Sequence, residues 1–196
     1  AGRYLAHPPR REDVRSAFAG LRPLIGAGKG GSTSSLSREH VIQVSAAGLV
    51  SLAGGKWTTY RRMAEEIINR AEVACGLPPR PCATRELRLH GHPGNAGQDV
   101  FGTDRAQIDA LPGAGRRIHP ELSLTEAEVR YAIRHEQART VEDVLARRHR
   151  ALFVDVRAAS AAAAAVAAIL GDELALNENQ AREQTEAFHL LAEGFC

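Results

Sequence analysis

Hydrophobic positions along the chain change their period several times, and each change marks an element. Arg38-Glu39-His40-Val41-Ile42-Gln43-Val44 alternates as a strand. Ala46-Ala47-Gly48 reads as a turn, and Leu49 to Ala53 as a strand pairing back in a hairpin. From Thr59 the period lengthens: Tyr60, Met63, Ile67, Ala71 and Ala74 fall at three- and four-residue spacing, a helix with a core-facing stripe. The stretch Gly54-Gly55-Lys56-Trp57-Thr58-Thr59-Tyr60-Arg61 therefore stands where a strand meets a helix across a tight glycine turn. Upstream, Arg11 to Ala19 is a short helical candidate with Val14, Ala17 and Phe18 on one face. Leu21 to Ile25 reads as a strand, and Gly26 to Ser37, rich in Gly, Ser and Thr, as a mobile loop. Gly76-Leu77-Pro78-Pro79-Arg80-Pro81 must stop the long helix, and this proline cluster marks a domain boundary.

Past the boundary, helical periods dominate. Thr84 to Leu89 suits a short strand or extended entry, and Thr103 to Leu111 a short helix capped by Thr103 or Asp104. Thr125-Glu126-Ala127-Glu128 is a capping box, in which the threonine hydroxyl and the glutamate each meet the other's backbone N–H. Thr140-Val141-Glu142-Asp143 and Asn177-Glu178-Asn179-Gln180 are variants of it. Asp155 to Leu174 holds an alanine run, which alanine's propensity makes helix. From about residue 120 the pattern predicts an antiparallel bundle with Val129, Ile133, Val144, Leu145, Ile169, Phe188 and Leu191 in its core.

Composition narrows the partners. With 196 residues, 44% of them apolar, the chain suits one or two domains with a core. Net charge is +2 and aromatics are 5%, which gives no footprint for nucleic acid or for base stacking. Three irregularly spaced cysteines, Cys75, Cys82 and Cys196, form no disulfide framework and point to a reducing compartment. No apolar run reaches transmembrane length. The chain begins without Met and in mid-pattern, so it reads as the C-terminal part of something longer.

Chemistry concentrates at the glycine turn. Two glycines admit positive φ and let a flat or anionic ligand approach without meeting a Cβ. Thr58 or Thr59 can cap the helix, whose free N–H groups carry roughly half a positive charge, and Lys56 adds a full one. Other motifs fail on context. Gly26-Ala27-Gly28-Lys29-Gly30-Gly31 matches G-x-G-x-x-G, but a strand pattern follows it instead of a helix, and Gly30 stands where a P-loop needs Ser or Thr. His135-Glu136 resembles a zinc-protease start, but Arg139 occupies the second ligand's place. His90 and His92 read as loop histidines, so no metal site is expected. Arg147-Arg148-His149-Arg150 reads as a solvated helix end.

Four segments taken together resemble one family. They are Leu21-Arg22-Pro23-Leu24, Ser37-Arg38-Glu39-His40, the stretch from Gly54 to Arg61, and the run from Arg134 to Arg148. In order and spacing they are similar to the C-terminal part of the FAD-dependent glycerol-3-phosphate dehydrogenases. The resemblance implies a fold in two parts: an α/β remnant of an FAD domain (helix, hairpin strands, long helix), then a mainly α-helical domain. The expected boundaries are 1–76 for the FAD- and substrate-binding portion, 77–90 for a proline-rich linker, and 91–196 for the helical domain.

By resemblance, the complete enzyme oxidises sn-glycerol 3-phosphate to dihydroxyacetone phosphate by hydride transfer to FAD, with a membrane quinone as acceptor. Arg22 and Lys56 are then the catalytic candidates, and Arg38 holds the substrate phosphate. Gly54, Gly55, Lys56, Trp57 and Thr58 face the cofactor. The implied partners are glycerol 3-phosphate, the quinone and the missing N-terminal part of the FAD domain; a homodimer stays open, and nucleic acid is not expected. The implied location is cytoplasmic or peripheral at the inner face of the membrane. Trp57 departs from the smaller apolar residue common at its position. The true dinucleotide fingerprint would lie at the missing N-terminus, so the isolated chain is expected to be inactive. Two other readings remain: an amine or amino-acid oxidase relative, and a helical module for interaction. Two arginines and a lysine favour a phosphate dianion over a single carboxylate.

Overall fold

A computed structural model describes residues 4–21, 40–92 and 99–195. Within them the chain falls into two units, one spanning residues 20–89 and the other joining residues up to 19 with those from 90 onward. The first unit holds the predicted hairpin. Strand β1 (His40–Val44) pairs antiparallel with β2 (Val50–Gly54), in a register that sets His40 opposite Gly54 and Val44 opposite Val50. The turn closes with Ser45 accepting from the Gly48 N–H at 2.9 Å. A 3-10 turn (Trp57–Thr59) leads into α1 (Tyr60–Ala74). The expected stripe on α1 is only half buried at Met63, Ile67 and Ala71, while Tyr60 and Ala74 are exposed. None of α1's side chains is fully buried, because only the hairpin and one extended segment lie against it. That segment is the expected linker. Thr84 accepts from Arg61 Nη1 at 3.2 Å, and Arg85 lies 3.9 Å from Glu65, so these residues run along α1 without forming a strand.

The second unit is helical: α2 (Arg105–Asp109), α3 (Glu126–His135), α4 (Ala151–Val154), α5 (Val156–Leu174) and α6 (Glu178–Glu193). Its centre is α5, which packs on α3, α4 and α6. The alanine run explains this placement. Ala158, Ala159, Ala162, Ala163 and Ala167 are buried at helical spacing, and side chains this small let neighbouring helices come close. Larger residues fill the remaining space, with Phe188 from α6, Leu145 and Leu152 at 1% exposure or less. The capping boxes at Thr125 and Asn177 form in both directions. Thr140 and Asp143 exchange the same pair of bonds at 3.0 Å, but the helix they open becomes a π-helical segment over Asp143–Arg148. Leu191 is only partly buried, contrary to its expected core position, because it packs at the rim beside Phe188 and Ala192.

Two polar clusters tie the helices. Glu173 on α5, 9% exposed, accepts from Arg134 Nε at 2.6 Å and from Arg130 Nη1 at 2.6 Å, both on α3. These bonds, Arg134's first, hold its carboxyl below the ordinary glutamate range. Asp104 was expected as a helix cap. Its side chain turns away to accept from Tyr131 Oη at 2.9 Å and from His90 Nε2 at 2.8 Å. Burial, then Asp104, pushes the Tyr131 hydroxyl up to about 12. His135, from the zinc-like motif, stacks on Tyr131 with ring centroids 4.7 Å apart.

The N-terminal segment is a correction to the sequence reading. Only Arg11–Asp13 is helical, as one 3-10 turn, and the chain then extends along the helical unit. The backbone from 15 to 17 makes its bonds elsewhere. Arg15 O and Ser16 Oγ both accept from Val156 N–H, at 3.1 and 2.7 Å, and Ser16 Oγ donates to Leu152 O at 2.8 Å. Ala17 N–H donates to Phe195 O at 2.9 Å, and Phe18 meets Phe153 edge-on at 5.0 Å. Polar groups engaged this way cannot also close i→i+4 helix bonds. Residues 4–19 thus lie with the helices and not with the hairpin they precede.

Candidate functional site

Strand β2 delivers the chain to the turn and α1 carries it away. Gly54 and Gly55 have φ of 77° and 82°, a left-handed pair that side-chain-bearing residues avoid. A Cβ on Gly55 would stand 2.5 Å from Met63 Sδ and 3.2 Å from His40 Cβ. The glycine at 55 is therefore needed to seat the turn against α1 and β1. The positive φ expected of both glycines is thus present.

Lys56 follows in extended conformation, then Trp57–Thr59. The expected threonine cap is not made. The 3-10 turn carries Thr59 Oγ1 back onto Lys56 O at 3.0 Å, away from the helix amides, and no side chain among the described residues caps the helix start. Tyr60 N–H donates to Trp57 O and Thr59 N–H to Lys56 O at 3.0 Å, so among the described residues only the amides that open the 3-10 turn, those of Trp57 and Thr58, are left for another acceptor. Lys56 and Thr58 are exposed, and Lys56 makes no ion pair with a described residue. Trp57, 86% exposed, stacks on Tyr60 at 5.4 Å between centroids. An uncapped 3-10 turn, an ammonium with no ion pair among the described residues and an aromatic pair together suit an anionic ligand with a flat face.

Beneath the turn lies a group that the sequence reading did not single out. His40 Nε2 is 2.6 Å from Glu66 Oε2, and Arg62 Nε donates to Glu66 Oε1 at 2.6 Å. The Arg62 bond first, and the His40 bond next, hold the Glu66 carboxyl below its ordinary range. The signal was present: hairpin register places His40 opposite Gly54, and Met63 and Glu66 share a face of α1 three residues apart. Arg22 and Arg38 lie outside the described residues, as does the glycine run from 26 to 31. Of the candidates, the structure therefore places Gly54, Gly55, Lys56, Trp57 and Thr58 together at one strand-to-helix junction.

Other motif residues have structural partners. Arg147 pairs with Glu142 and Asp143 at 2.5 and 2.7 Å, and Arg148 donates to Glu136 O at 2.6 Å. Arg139 donates to the carbonyls of Ile133 and Ala138, closing the end of α3. No helix among the described residues is long and apolar enough to cross a membrane.

Comparison with known proteins places these features in a family. Residues 46–181 match the model of the C-terminal domain of alpha-glycerophosphate oxidase. The chain is 39% identical over 207 residues to the probable mitochondrial glycerol-3-phosphate dehydrogenase of Caenorhabditis elegans, an alignment covering 90% of the chain and 28% of that protein. It is 35% identical over 205 residues to mitochondrial glycerol-3-phosphate dehydrogenase of Rattus norvegicus, again 90% of the chain and 28% of the relative. It is 39% identical over 158 residues to glycerol-3-phosphate dehydrogenase 1 of Mycobacterium bovis, covering 71% of the chain and 31% of the relative. The chain thus spans between a quarter and a third of the length of these relatives. No solved structure matches it. With the family model covering most of the sequence, the hairpin, the glycine turn and the helical unit are those of a member of the alpha-glycerophosphate oxidase C-terminal domain family, alongside the glycerol-3-phosphate dehydrogenases.

Proposed function

We propose that this chain forms part of a flavoenzyme that oxidises sn-glycerol 3-phosphate to dihydroxyacetone phosphate. The observation that carries the reading is the uncapped 3-10 turn into α1 beside Lys56, which makes no ion pair among the described residues, in a chain whose relatives are named glycerol-3-phosphate dehydrogenases. FAD, when bound, would supply the hydride-accepting chemistry, with a membrane quinone as the expected electron acceptor. The chain's own part is positive potential. Lys56 and the helix amides favour negative charge at the edge of the ring they face. Gly54, Gly55, Trp57 and Thr58 shape that edge, with the Trp57–Tyr60 pair as an apolar flank. Arg22 acts with Lys56 as a catalytic group, and Arg38 holds the substrate phosphate, for which a guanidinium fork is suited.

The FAD pyrophosphate needs a glycine turn leading into a helix, and this chain's glycine run at 26–31 is followed by no helical pattern. The remainder of the FAD domain is accordingly the partner this unit requires, and the 196-residue chain alone is expected to stay colourless. The test is the absorbance spectrum of the full-length protein under anaerobic conditions. A flavin spectrum that bleaches on addition of glycerol 3-phosphate supports the reading. A colourless protein, or one bleached by an amino acid and not by glycerol 3-phosphate, overturns it.

A further inference from the structure

We propose that His40 is a positioning residue: its bond to Glu66 fixes the floor under Gly54, Gly55 and Lys56, and so sets where Lys56 and the Trp57 and Thr58 amides point. The inference rests on the reading of this turn as the face presented to flavin and substrate. Three observations carry it. His40 is the first residue of β1 and pairs with Gly54, where the glycine turn begins. Its Cβ stands 3.2 Å from where a Cβ on Gly55 would lie, so it packs closely against the turn, whose φ of 82° at Gly55 itself disfavours a side chain. Its ring then reaches across to α1, where Nε2 meets Glu66 at 2.6 Å with the His40 side chain only 19% exposed.

The tautomer follows from chemistry. Glu66 also accepts from Arg62, and its carboxyl is held below the usual range. An ionised carboxylate can only accept, so Nε2 carries the proton. With a donor on each oxygen, Glu66 is held from both sides. The strand end and the helix are thereby tied at a point directly under the turn. No other side-chain hydrogen bond among the described residues joins the hairpin to α1. His40 itself need not touch ligand. Its effect passes through the backbone it supports, and displacement of a charged group by about 1 Å is enough to weaken catalysis on the order of 100-fold.

The test uses the full-length protein with two substitutions. His40→Leu keeps bulk against Gly55 and removes the donor. His40→Gln keeps a nitrogen donor at similar reach. Two readouts are needed. The first is amide hydrogen exchange across residues 54–60 in flavin-stripped protein, which reads the tie without any reaction. The second is steady-state kinetics with the flavin potential in loaded protein. The expected result for His40→Leu is exchange faster by about tenfold, kcat/KM lower by about 10- to 100-fold through kcat, and a more negative potential. In His40→Gln all three should return close to the parent values. Parent-like exchange at 54–60 in His40→Leu overturns the proposal, as does faster exchange with unchanged kinetics and potential, which would make the bond merely structural. If His40→Leu fails to fold, Glu66→Ala is read in its place: it removes the acceptor on α1, so faster exchange at 54–60 with lower kcat and a more negative potential supports the tie, and parent-like exchange and kinetics overturn it. A full-length protein that holds no flavin but shows the His40→Leu exchange effect supports the positioning and overturns only the flavin reading.

Discussion

The two units carry similar sequence patterns and end in different physical states. In the helical unit the periodic apolar faces meet one another: every fully buried apolar residue among the described ones lies between Ile108 and Ala192. In the hairpin unit the same kind of face stays open. Val41, Leu49, Ile68, Val73, Leu77, Leu87 and Leu89 are all exposed, several along a groove of about 580 Å³ beside α1. What holds this unit is polar and local, as in His40 with Glu66 and Arg61 with Thr84. A two-stranded hairpin with one helix is at the lower limit of what is stable in water. Periodicity therefore says which face seeks burial, and only the fold says whether the chain at hand supplies the cover.

The sharpest way to break this comparison is to cut a cavity in each unit. Phe188→Ala, at 1% exposure in the parent, should cost about 3–5 kcal/mol. Ile67→Ala, half buried on α1, should cost about 1 kcal/mol or less. Urea unfolding followed by circular dichroism reads both, and equal losses would mean that the hairpin unit has a core after all. Next in size is Lys56→Met in the full-length protein. It should lower kcat/KM by about 10²–10³, the scale of losing one preorganised electrostatic donor, and leave the melting temperature unchanged. A fall in melting temperature without a kinetic effect would make Lys56 a structural residue of the turn.

A smaller effect is expected at Glu173, where Glu173→Gln should cost about 1–3 kcal/mol at neutral pH. Its carboxyl is held below the ordinary range by Arg134 and Arg130. The stabilisation is thus complete above the unfolded value of about 4.3 and is lost as pH falls through the lower folded value. Melting temperatures of parent and variant should therefore differ at pH 7 and converge on acidification below about pH 4. A gap that stays constant down to pH 3 would assign the loss to packing instead of charge.

How far the fold could be read from sequence depended on the distance between partners. The capping boxes at Thr125 and Asn177, the hairpin and the start of α1 were legible because each signal sits within a few residues of its effect. The alanine run declared a helix, while the close packing its small side chains allow appeared only with the fold. The N-terminal segment misled because Val14, Ala17 and Phe18 do have helical spacing, while the bonds that straighten the chain come from Val156 and Phe195. Glu173 and its two arginines were equally hidden, being paired across helices 39 and 43 residues apart. At the site, the glycines and Lys56 stood out by type. His40 and Glu66 did not, since a histidine and a glutamate 26 residues apart are unremarked until register brings them together.

The docking of residues 15–17 bears on the order in which the chain can fold. Ser16 and Val156 are 140 residues apart, so their bonds close a loop that includes the whole hairpin unit. Contacts among α3, α5 and α6 span far shorter stretches and form first, because short loops close at smaller entropic cost. The N-terminal strap then has a finished surface to bind, with the Val156 N–H and the Phe195 carbonyl in place. During synthesis the strap emerges before the helices and waits for the Phe195 carbonyl before it can settle. In the mature protein it should be the first part to open, a short exposed stretch whose release leaves the helices behind it intact.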